Sequence, residues 1–400
     1  MTNWSVMVKF KSLAKSLALC VAAMVFGASQ APAQQPVKIG FITTLSGPGG
    51  YLGQDIRDAF QLRIKEEGGT LGGIPVELLI EDDGLKPGQA KQIAERFMKS
   101  EGVKLFTGIV FSNVAGAVVP DVVDNGGIFV SANAGPSNFA GKECHKNYFV
   151  MSWLTDTMQG SAGQNATSLG YKRAFVLAPN YTAGKDAIEG FKRFFKGEII
   201  GEVYTRLDQT DYASEMAQIR AAKPDVVFHF HPGGLGIAFM RQYQQAGLLG
   251  TIPMVLAEPS MDHVLLKTIG EASLGTDVSG AWNTDFDNPV NKKFVEDFTK
   301  AYGRTPTMYA AQGYDTAIAI GAALKAVGGK VENADGFRAA MLKADYDLTR
   351  GPFKFGTNQH PVQDWYAMKV EKDASGAIVL KTREKILTSY GDPYAKDCKL

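Results

Sequence analysis

The chain has 400 residues, of which 45% are hydrophobic and 21% are charged, and its formal net charge is +1. This composition is typical of a globular protein that is long enough to form two hydrophobic cores, and it excludes a disordered chain. The near-zero net charge gives no basis for nucleic-acid binding.

The N-terminus is typical of a secretory signal. Lys9, Lys11 and Lys15 precede an apolar run at residues 17–28, and Ala31-Pro32-Ala33 then supplies a small-residue cleavage site. The apolar run is shorter than the roughly 20 residues that span a bilayer, and no later stretch is long enough. We predict a signal peptide at residues 1–33, cleavage after Ala33 and no transmembrane segment in the mature chain.

Three cysteines occur in the sequence. Cys20 lies in the signal segment, and a lipid anchor there is disfavoured because Leu19 precedes it where such sites carry a small residue. Cys144 and Cys398 remain after cleavage. In an oxidising compartment two such cysteines are more typical of a structural disulfide than of catalysts or metal ligands. The bridge would hold the C-terminal tail to the body of the protein.

Beyond the signal, short apolar runs alternate with amphipathic helical segments. Predicted strands at residues 37–45, 76–81, 103–111 and 128–131 form a first series, which a strand-like run at 148–153 follows. Five valines between residues 114 and 123 recur at helical spacing and predict a crossover helix between two parallel strands. A second series begins near Leu154 with a helix at 158–169 and strands at 173–178, 199–204, 226–230, 252–256 and 276–282. The pattern predicts mainly helices from residue 289, and strands and turns at residues 351–381. The alternation predicts parallel, doubly wound sheets in two α/β lobes. The glycines of the loop at 46–53 miss the G-x-G-x-x-G spacing, so no nucleotide cofactor is predicted.

Polar or aromatic residues follow the predicted strands at equivalent places. They are Ser46, Ser112, Asn113, Ser131, Asn133, Tyr181, His231 and Glu258. The carboxyl ends of parallel strands are where ligands bind in open α/β sheets, and the helices that follow direct their amide N–H groups there. The pattern predicts a cleft that accepts an anion. Ser and Asn at these positions are also typical helix N-caps and turn formers, so this alternative stays open for each of them.

The machinery of a secreted hydrolase is absent from the sequence. There is no G-x-S-x-G elbow and no H-E-x-x-H motif. His229 and His231 share one face of a strand, but a third metal ligand at strand spacing is missing, which favours a cleft contact or a packed histidine. Glu258 has no partner nucleophile. We predict a protein without catalytic residues, metal or cofactor.

The residues above resemble those of a known family over nearly the whole mature chain. The resemblance rests on Val37-Lys38-Ile39-Gly40, Leu45-Ser46-Gly47-Pro48, the turn from Gly68-Gly69 to Gly72-Gly73-Ile74, Asp82-Asp83 with Ala90, and Asp315 after Tyr314. These segments are similar to the periplasmic leucine/isoleucine/valine-binding proteins, the type I solute-binding receptors of ATP-binding-cassette (ABC) importers.

The resemblance implies a periplasmic receptor that closes on a small ligand and has an inner-membrane ABC permease as its partner. The expected fold is α/β, with two Rossmann-like lobes that have parallel central sheets and are joined by a three-crossover hinge. Lobe 1 would comprise residues 34–153 and 282–352, and lobe 2 residues 154–281 and 353–400.

The family's binding positions can be carried over residue by residue. Its carboxylate-binding segments fall on Ser112-Asn113 and on Asn133-Ala134-Gly135. Glu258 stands where the amino-acid binders hold the ligand ammonium, while Gly135 replaces a hydroxyl that assists there. The predicted ligand-binding residues are Tyr51, Leu52, Phe111, Ser112, Asn113, Ser131, Asn133, Ala134, Gly135, Tyr181, Phe230, His231, Glu258 and Tyr309.

These departures from the amino-acid binders favour a different ligand. The hydrogen-bond donors for a carboxylate are retained, but only one of the two groups that would hold an ammonium is present. Five aromatic residues could enclose a flat ring, or could instead pack in the hinge or the core; they are Tyr51, Phe111, Tyr181, Phe230 and Tyr309. The tail at residues 390–398, with Cys144, resembles the branch that takes up aromatic acids. We therefore predict capture of a small carboxylate of the benzoate or phenylpropenoate type. The alternatives are a branched-chain or other aliphatic amino-acid-binding protein, a ligand sensor and, least favoured, a secreted hydrolase.

Overall fold

Strands and helices alternate along most of the computed structural model, which describes residue 1 and residues 35–400. The predicted signal peptide, its cleavage site and Cys20 lie outside the described residues. The strands are β1 (Val37–Thr43), β2 (Thr70–Leu71), β3 (Ile74–Asp82), β4 (Leu105–Thr107), β5 (Ile128–Ser131), β6 (Tyr148–Val150), β7 (Arg173–Pro179), β8 (Glu198–Thr205), β9 (Val226–His229), β10 (Val255–Ala257), β11 (Asp277–Gly280), β12 (Phe353–Phe355), β13 (Pro361–Lys372) and β14 (Ile378–Tyr390).

The helices connect the strands and cover the sheets. They are α1 (Gly50–Glu66), α2 (Pro87–Lys99), α3 (Ser112–Asp124), α4 (Thr155–Ser168), α5 (Thr182–Phe194), α6 (Ala213–Ala222), α7 (Gly234–Gln245), α8 (His263–Ile269), α9 (Pro289–Tyr302), α10 (Met308–Ala326) and α11 (Ala334–Lys343). Within residues 35–400, none of them combines the length and the apolar run that a membrane crossing requires.

The first sheet has the strand order β2-β3-β1-β4-β5-β6, and every pair except β2–β3 is parallel. The last five residues of β1 are buried, as are all residues of β4, β5 and β6, because helices cover both faces of the sheet. The five valines predicted to face inward from the crossover helix lie on α3, and all are buried: Val114, Val118, Val119, Val122 and Val123. The predicted strand–helix–strand unit is confirmed.

The second series forms two sheets. One is parallel, in the order β8-β7-β9; the other is mixed, in the order β10-β11-β13-β12, with β14 paired to β13. A parallel bridge between Val227 and Met254 links them. Within residues 35–400, no strand of this series pairs with the first sheet. The series is therefore a second α/β unit with an antiparallel edge.

Several element boundaries differ from the sequence-based expectation; β4, for example, covers only residues 105–107 of the predicted 103–111. Helix α4 begins at Thr155 instead of Met158, because the polar side chains of its first turn are buried by tertiary contacts that no apolar pattern reports. Strand β14 continues to Tyr390, nine residues beyond the predicted end at 381, because most of its outer half is exposed and lacks apolar alternation. Tertiary context overrides the local signal in α4 and β14.

The predicted disulfide between Cys144 and Cys398 is confirmed; its Cα atoms lie 5.7 Å apart and its cysteines 254 residues apart in sequence. The same tail is also attached to α4 and α5. The Tyr394 hydroxyl donates to the Asp156 carboxylate at 3.0 Å and accepts from Arg193 at 3.0 Å. The C-terminus is thus held at both ends of its last turn.

Candidate functional site

A cleft lies where several strands end. Its walls are formed by Leu52, Val110, Phe111, Ser112, Asn133, Ala134, Trp153, Thr155, Gln159, Tyr181, Ala183, Phe230, Pro232, Pro259 and Tyr309. Segments that follow β4, β5, β7, β9 and β10 all contribute. The cleft therefore lies where the topology of α/β sheets places ligand sites.

Eight of the predicted ligand-binding residues line this cleft: Leu52, Phe111, Ser112, Asn133, Ala134, Tyr181, Phe230 and Tyr309. The other six, Tyr51, Asn113, Ser131, Gly135, His231 and Glu258, do not form its walls, and their surroundings are described below. All 14 assignments as ligand contacts stay predictions.

Ser112 connects two helix N-termini at the cleft. It is the first residue of α3, and its Oγ accepts the backbone N–H of Ala183, the second residue of α5, at 2.9 Å. Neither helix has a side-chain capping bond, so Ser112 does not act as an N-cap here. Its own hydroxyl hydrogen remains available to a ligand. Two positive helix ends and this hydroxyl favour an anion at this wall.

The Asn133 side chain presents an acceptor. Its Nδ2 donates to the Val110 carbonyl at 2.7 Å, and this fixes the orientation of the amide because a carbonyl can only accept. Its Oδ1 is buried without a partner. The same is true of Oδ1 of Asn113, beside the cleft wall. The expected donation from Asn133 to a carboxylate is therefore limited to its second amide hydrogen.

Aromatic rings form the apolar walls. Tyr181 stacks on Phe230 with ring centroids 6.4 Å apart and an interplanar angle of 10°, and Phe111 is tilted against Tyr181 at 6.5 Å. Trp153 meets the edge of Tyr309 at 6.2 Å. Burial raises the pKa of Tyr181 and of Tyr309, so their hydroxyls stay protonated. These rings contribute to core packing and also offer donors to the cleft.

The side chains of Ser131 and His231 already form hydrogen bonds within the protein, and position 135 has no room for a side chain. Ser131 donates to the Ala134 carbonyl at 2.6 Å. His231 bonds Thr205 through Nε2 at 3.0 Å and His229 through Nδ1 at 3.3 Å. A Cβ on Gly135 would lie 2.0 Å from the Trp153 carbonyl oxygen. The absence of a hydroxyl at position 135 is thus explained by the close approach of the backbone.

The buried histidine pair predicts acid sensitivity. Burial lowers the pKa of His231 from 6.5 to about 3, so the folded protein keeps it neutral while the unfolded chain protonates it. Stability is therefore lost as the pH falls below 6.5, by about 2 kcal/mol between pH 7 and pH 5 from this group alone. Urea unfolding at both pH values should show a smaller loss for His231→Gln than for wild type. An identical loss would contradict this assignment.

Glu258 lines a second, smaller cavity behind the cleft, called the inner cavity below. This cavity is lined by Trp153, Glu258, Ala281, Trp282, Met308, Ala311, Gln312 and Arg350, and it shares Trp153 with the cleft. Burial raises the pKa of Glu258 well above its usual range, nearby Asp262 adds to this, and Arg350 opposes it. Oε2 of Glu258 and Oε1 of Gln312 are buried without partners. The inner cavity therefore offers a free acceptor on Gln312 and, on the protonated Glu258, a hydroxyl that can donate.

Hydrogen bonds cross the cleft between segments predicted for different lobes. The Tyr51 hydroxyl donates to Oδ2 of Asp262 at 2.7 Å, so Tyr51 acts at the mouth of the cleft and not in its wall. The backbone N–H and the hydroxyl of Ser137 donate to Asp186 at 2.9 and 2.6 Å. Gly234 N–H donates to the Pro48 carbonyl at 2.9 Å. These contacts hold the two sides of the cleft together.

Several lining residues were missed by sequence reasoning. Gln159 and Thr155 lie on one face of α4. A polar residue inside a helix does not stand out in the sequence in the way that a polar residue directly after an apolar strand does. Trp153 was recognised only as the end of a predicted strand, although it lines both the cleft and the inner cavity. A search restricted to strand ends cannot find residues that a packed helix brings to the cleft.

Two α/β units around an aromatic cleft, with helix N-termini and free donors inside it, define a receptor for a small solute. Residues 36–376 match the family model of the periplasmic binding proteins. The chain belongs to the periplasmic binding protein family.

Relatives and solved structures agree with this. A Leu/Ile/Val-binding protein homolog 6 from Brucella melitensis is 28% identical over 396 residues, covering 96% of this chain and 99% of the relative. An ABC transporter solute-binding protein from R. palustris, solved in complex with benzoate, has a TM-score of 0.86 and 30% identity, covering 92% of this chain and 100% of that one. A solute-binding protein from Rhodopseudomonas palustris BisB5, in complex with 3,4-dihydroxybenzoic acid, has a TM-score of 0.84 and 29% identity, covering 90% and 99%.

These similarities confirm the predicted family and the type I α/β fold. The chain is a solute-binding protein of the ABC transporter class. The division into lobes at residues 153/154, 281/282 and 352/353 stays a prediction.

Proposed function

We propose that this protein captures a small aromatic carboxylate, of the benzoate or phenylpropenoate type, and delivers it to an ABC permease. The observation that supports this most is the pairing of stacked aromatic walls with the α3 and α5 N-termini joined at Ser112. A flat ring fits between Tyr181, Phe111 and Tyr309, while the carboxylate takes the helix ends and the Ser112 hydroxyl. Relatives solved with benzoate and with 3,4-dihydroxybenzoic acid support the same ligand class.

In this proposal the protein captures its ligand by closing the cleft between the two predicted lobes. Ligand held by the wall from α3 would contact Tyr181 and Phe230 only when the two predicted lobes approach each other. It therefore favours the closed form by its differential affinity. The bonds from Ser137 to Asp186 and from Tyr51 to Asp262 support this form as the one present here. A permease would recognise the closed surface, although a ligand sensor would use the same motion.

The proposal includes an exported chain that is cleaved after Ala33 and acts in the periplasm without catalysing a reaction. The periplasmic binding protein family supports the location. The absence of a recognisable hydrolase motif in the sequence supports the receptor role over the hydrolase alternative.

A second candidate is an aliphatic amino-acid-binding protein, which the Leu/Ile/Val-binding homologue favours. It requires Glu258 to be ionised and to reach the ligand ammonium. The raised pKa of Glu258 and its position behind Trp153 argue against this. A neutral Glu258 is suited to a ring hydroxyl or to another hydrogen-bonding group.

A thermal-shift screen of residues 34–400 tests the proposal. Aromatic carboxylates at 100 times their Kd should stabilise the protein by about 2.7 kcal/mol, which is several degrees. Benzamide, a neutral analogue of benzoate, should give little shift. Stabilisation by leucine or valine with none by aromatic acids would replace the proposal with the second candidate, and an equal shift with benzamide would remove the carboxylate from it.

A further inference from the structure

Gln159 is a polar side chain buried at the cleft without a partner. Its exposed fraction is 1%, yet neither Nε2 nor Oε1 bonds any group of the described chain. A buried amide that lacks hydrogen bonds destabilises a folded protein. Because Gln159 also lines the cleft, a ligand that enters there can supply the missing bonds.

The helix that carries Gln159 is fixed in position. Cβ atoms on Gly160 and Gly190 would lie 2.7 Å from the Phe194 ring and 2.0 Å from the Asp156 carbonyl oxygen, so α4 and α5 pack backbone to backbone. On the other side, the Ser161 hydroxyl bonds that of Ser279 on β11 at 2.7 Å. The amide is therefore held at the cleft by a rigid support and cannot easily turn to solvent.

We propose that Gln159 is a specificity-determining residue that binds a hydroxyl substituent on the ring of the ligand. This rests on the proposed function. Gln159 offers a donor and an acceptor with no charge, and a phenolic hydroxyl, which both donates and accepts, satisfies both. The carboxylate is provided for at Ser112, where helix ends supply positive charge, so the neutral amide is left for the second polar group of the ligand.

The test compares the Kd values of benzoate, 3-hydroxybenzoate and 4-hydroxybenzoate by isothermal titration calorimetry. The wild type should bind at least one hydroxybenzoate more tightly than benzoate. In Gln159→Met, which keeps the length of the side chain and removes its polar atoms, the ratio of the benzoate Kd to the hydroxybenzoate Kd should fall about tenfold. Gln159→Leu, which also lacks polar side-chain atoms, should show the same loss of preference and provides a second variant should the first fail to fold.

The matched control is Gln164→Met, the same exchange on the same helix at a partly exposed position. It should leave the preference unchanged. The ligand-free Gln159→Met protein should also unfold at a higher temperature than wild type, because an unpartnered amide has been removed; a structural role would lower that temperature.

The outcomes separate the two proposals. If no benzoate derivative binds the wild type, the proposed function is overturned and this inference with it. If benzoates bind but no hydroxybenzoate is preferred, or Gln159→Met keeps the preference, only the role of Gln159 is overturned.

Discussion

Asp315→Ala is expected to lower the free energy of unfolding by about 3–5 kcal/mol, because it leaves the buried Arg350 unpaired. Asp315 is fully buried, and its carboxylate accepts from Arg350 Nε at 2.9 Å and from the N–H and hydroxyl of Thr349 at 2.8 and 3.0 Å. Arg350 also donates to the Ser152 carbonyl at 2.8 Å and to Gln363 at 3.1 Å. The pair thus joins α10 to the segments at two predicted crossovers.

Urea unfolding, followed by circular dichroism, measures this effect. The matched control is Asp335→Ala, which removes an exposed carboxylate that pairs with Arg338 on the surface of α11. Its cost should stay below about 1 kcal/mol. The double variant Asp315→Leu with Arg350→Met should recover part of the loss, because it removes both charges together. An equal loss of unfolding free energy in Asp315→Ala and Asp335→Ala would show that the buried ion pair stabilises the fold no more than the exposed one.

Ser112→Asp is expected to weaken the binding of an aromatic carboxylate by at least about 100-fold. The new carboxylate would occupy the junction of the α3 and α5 N-termini, where it satisfies the amide of Ala183 and repels the ligand's charge. Folding should be retained because an acidic residue is favourable in the first turn of a helix. Calorimetric titration with the best ligand from the thermal-shift screen measures the loss.

Gly116→Asp is the control for the added charge. It lies on the same helix, is exposed, and has open space where its Cβ would stand. Its affinity should remain close to that of the wild type. Retained binding in Ser112→Asp, with the fold intact, would remove the carboxylate from this wall.

The sequence alone determined the fold class, because periodicity and turn residues are local signals. The valines at helical spacing in α3 and the apolar runs of β1, β4 and β5 required parallel strands with crossover helices, and these are present. The same logic located the polar residues after the strands, since the carboxyl ends of parallel strands share one edge. Three residues located in this way, Ser112, Asn133 and Tyr181, line the cleft, and five others predicted with the help of the family resemblance line it with them.

Tertiary structure decided which of these side chains remain free for a ligand. Ser131 and His231 follow the same sequence pattern as Ser112, but protein partners fill their hydrogen bonds. Glu258 follows a strand as well, yet it lines the inner cavity and not the cleft. A hydrogen-bonding partner that is distant in sequence leaves no trace in the local pattern.

Gln159, in contrast, was not predicted from the sequence but has free hydrogen-bonding atoms at the cleft. It reaches the cleft because glycines let α4 pack closely on α5, and a close contact between two backbones far apart in the chain has no local periodicity. The sequence by itself therefore fixed the architecture, the disulfide and the edge of the sheet where the site lies. Only the packing of helices and rings around that edge decided which polar atoms are left without partners, because this depends on contacts across the whole chain.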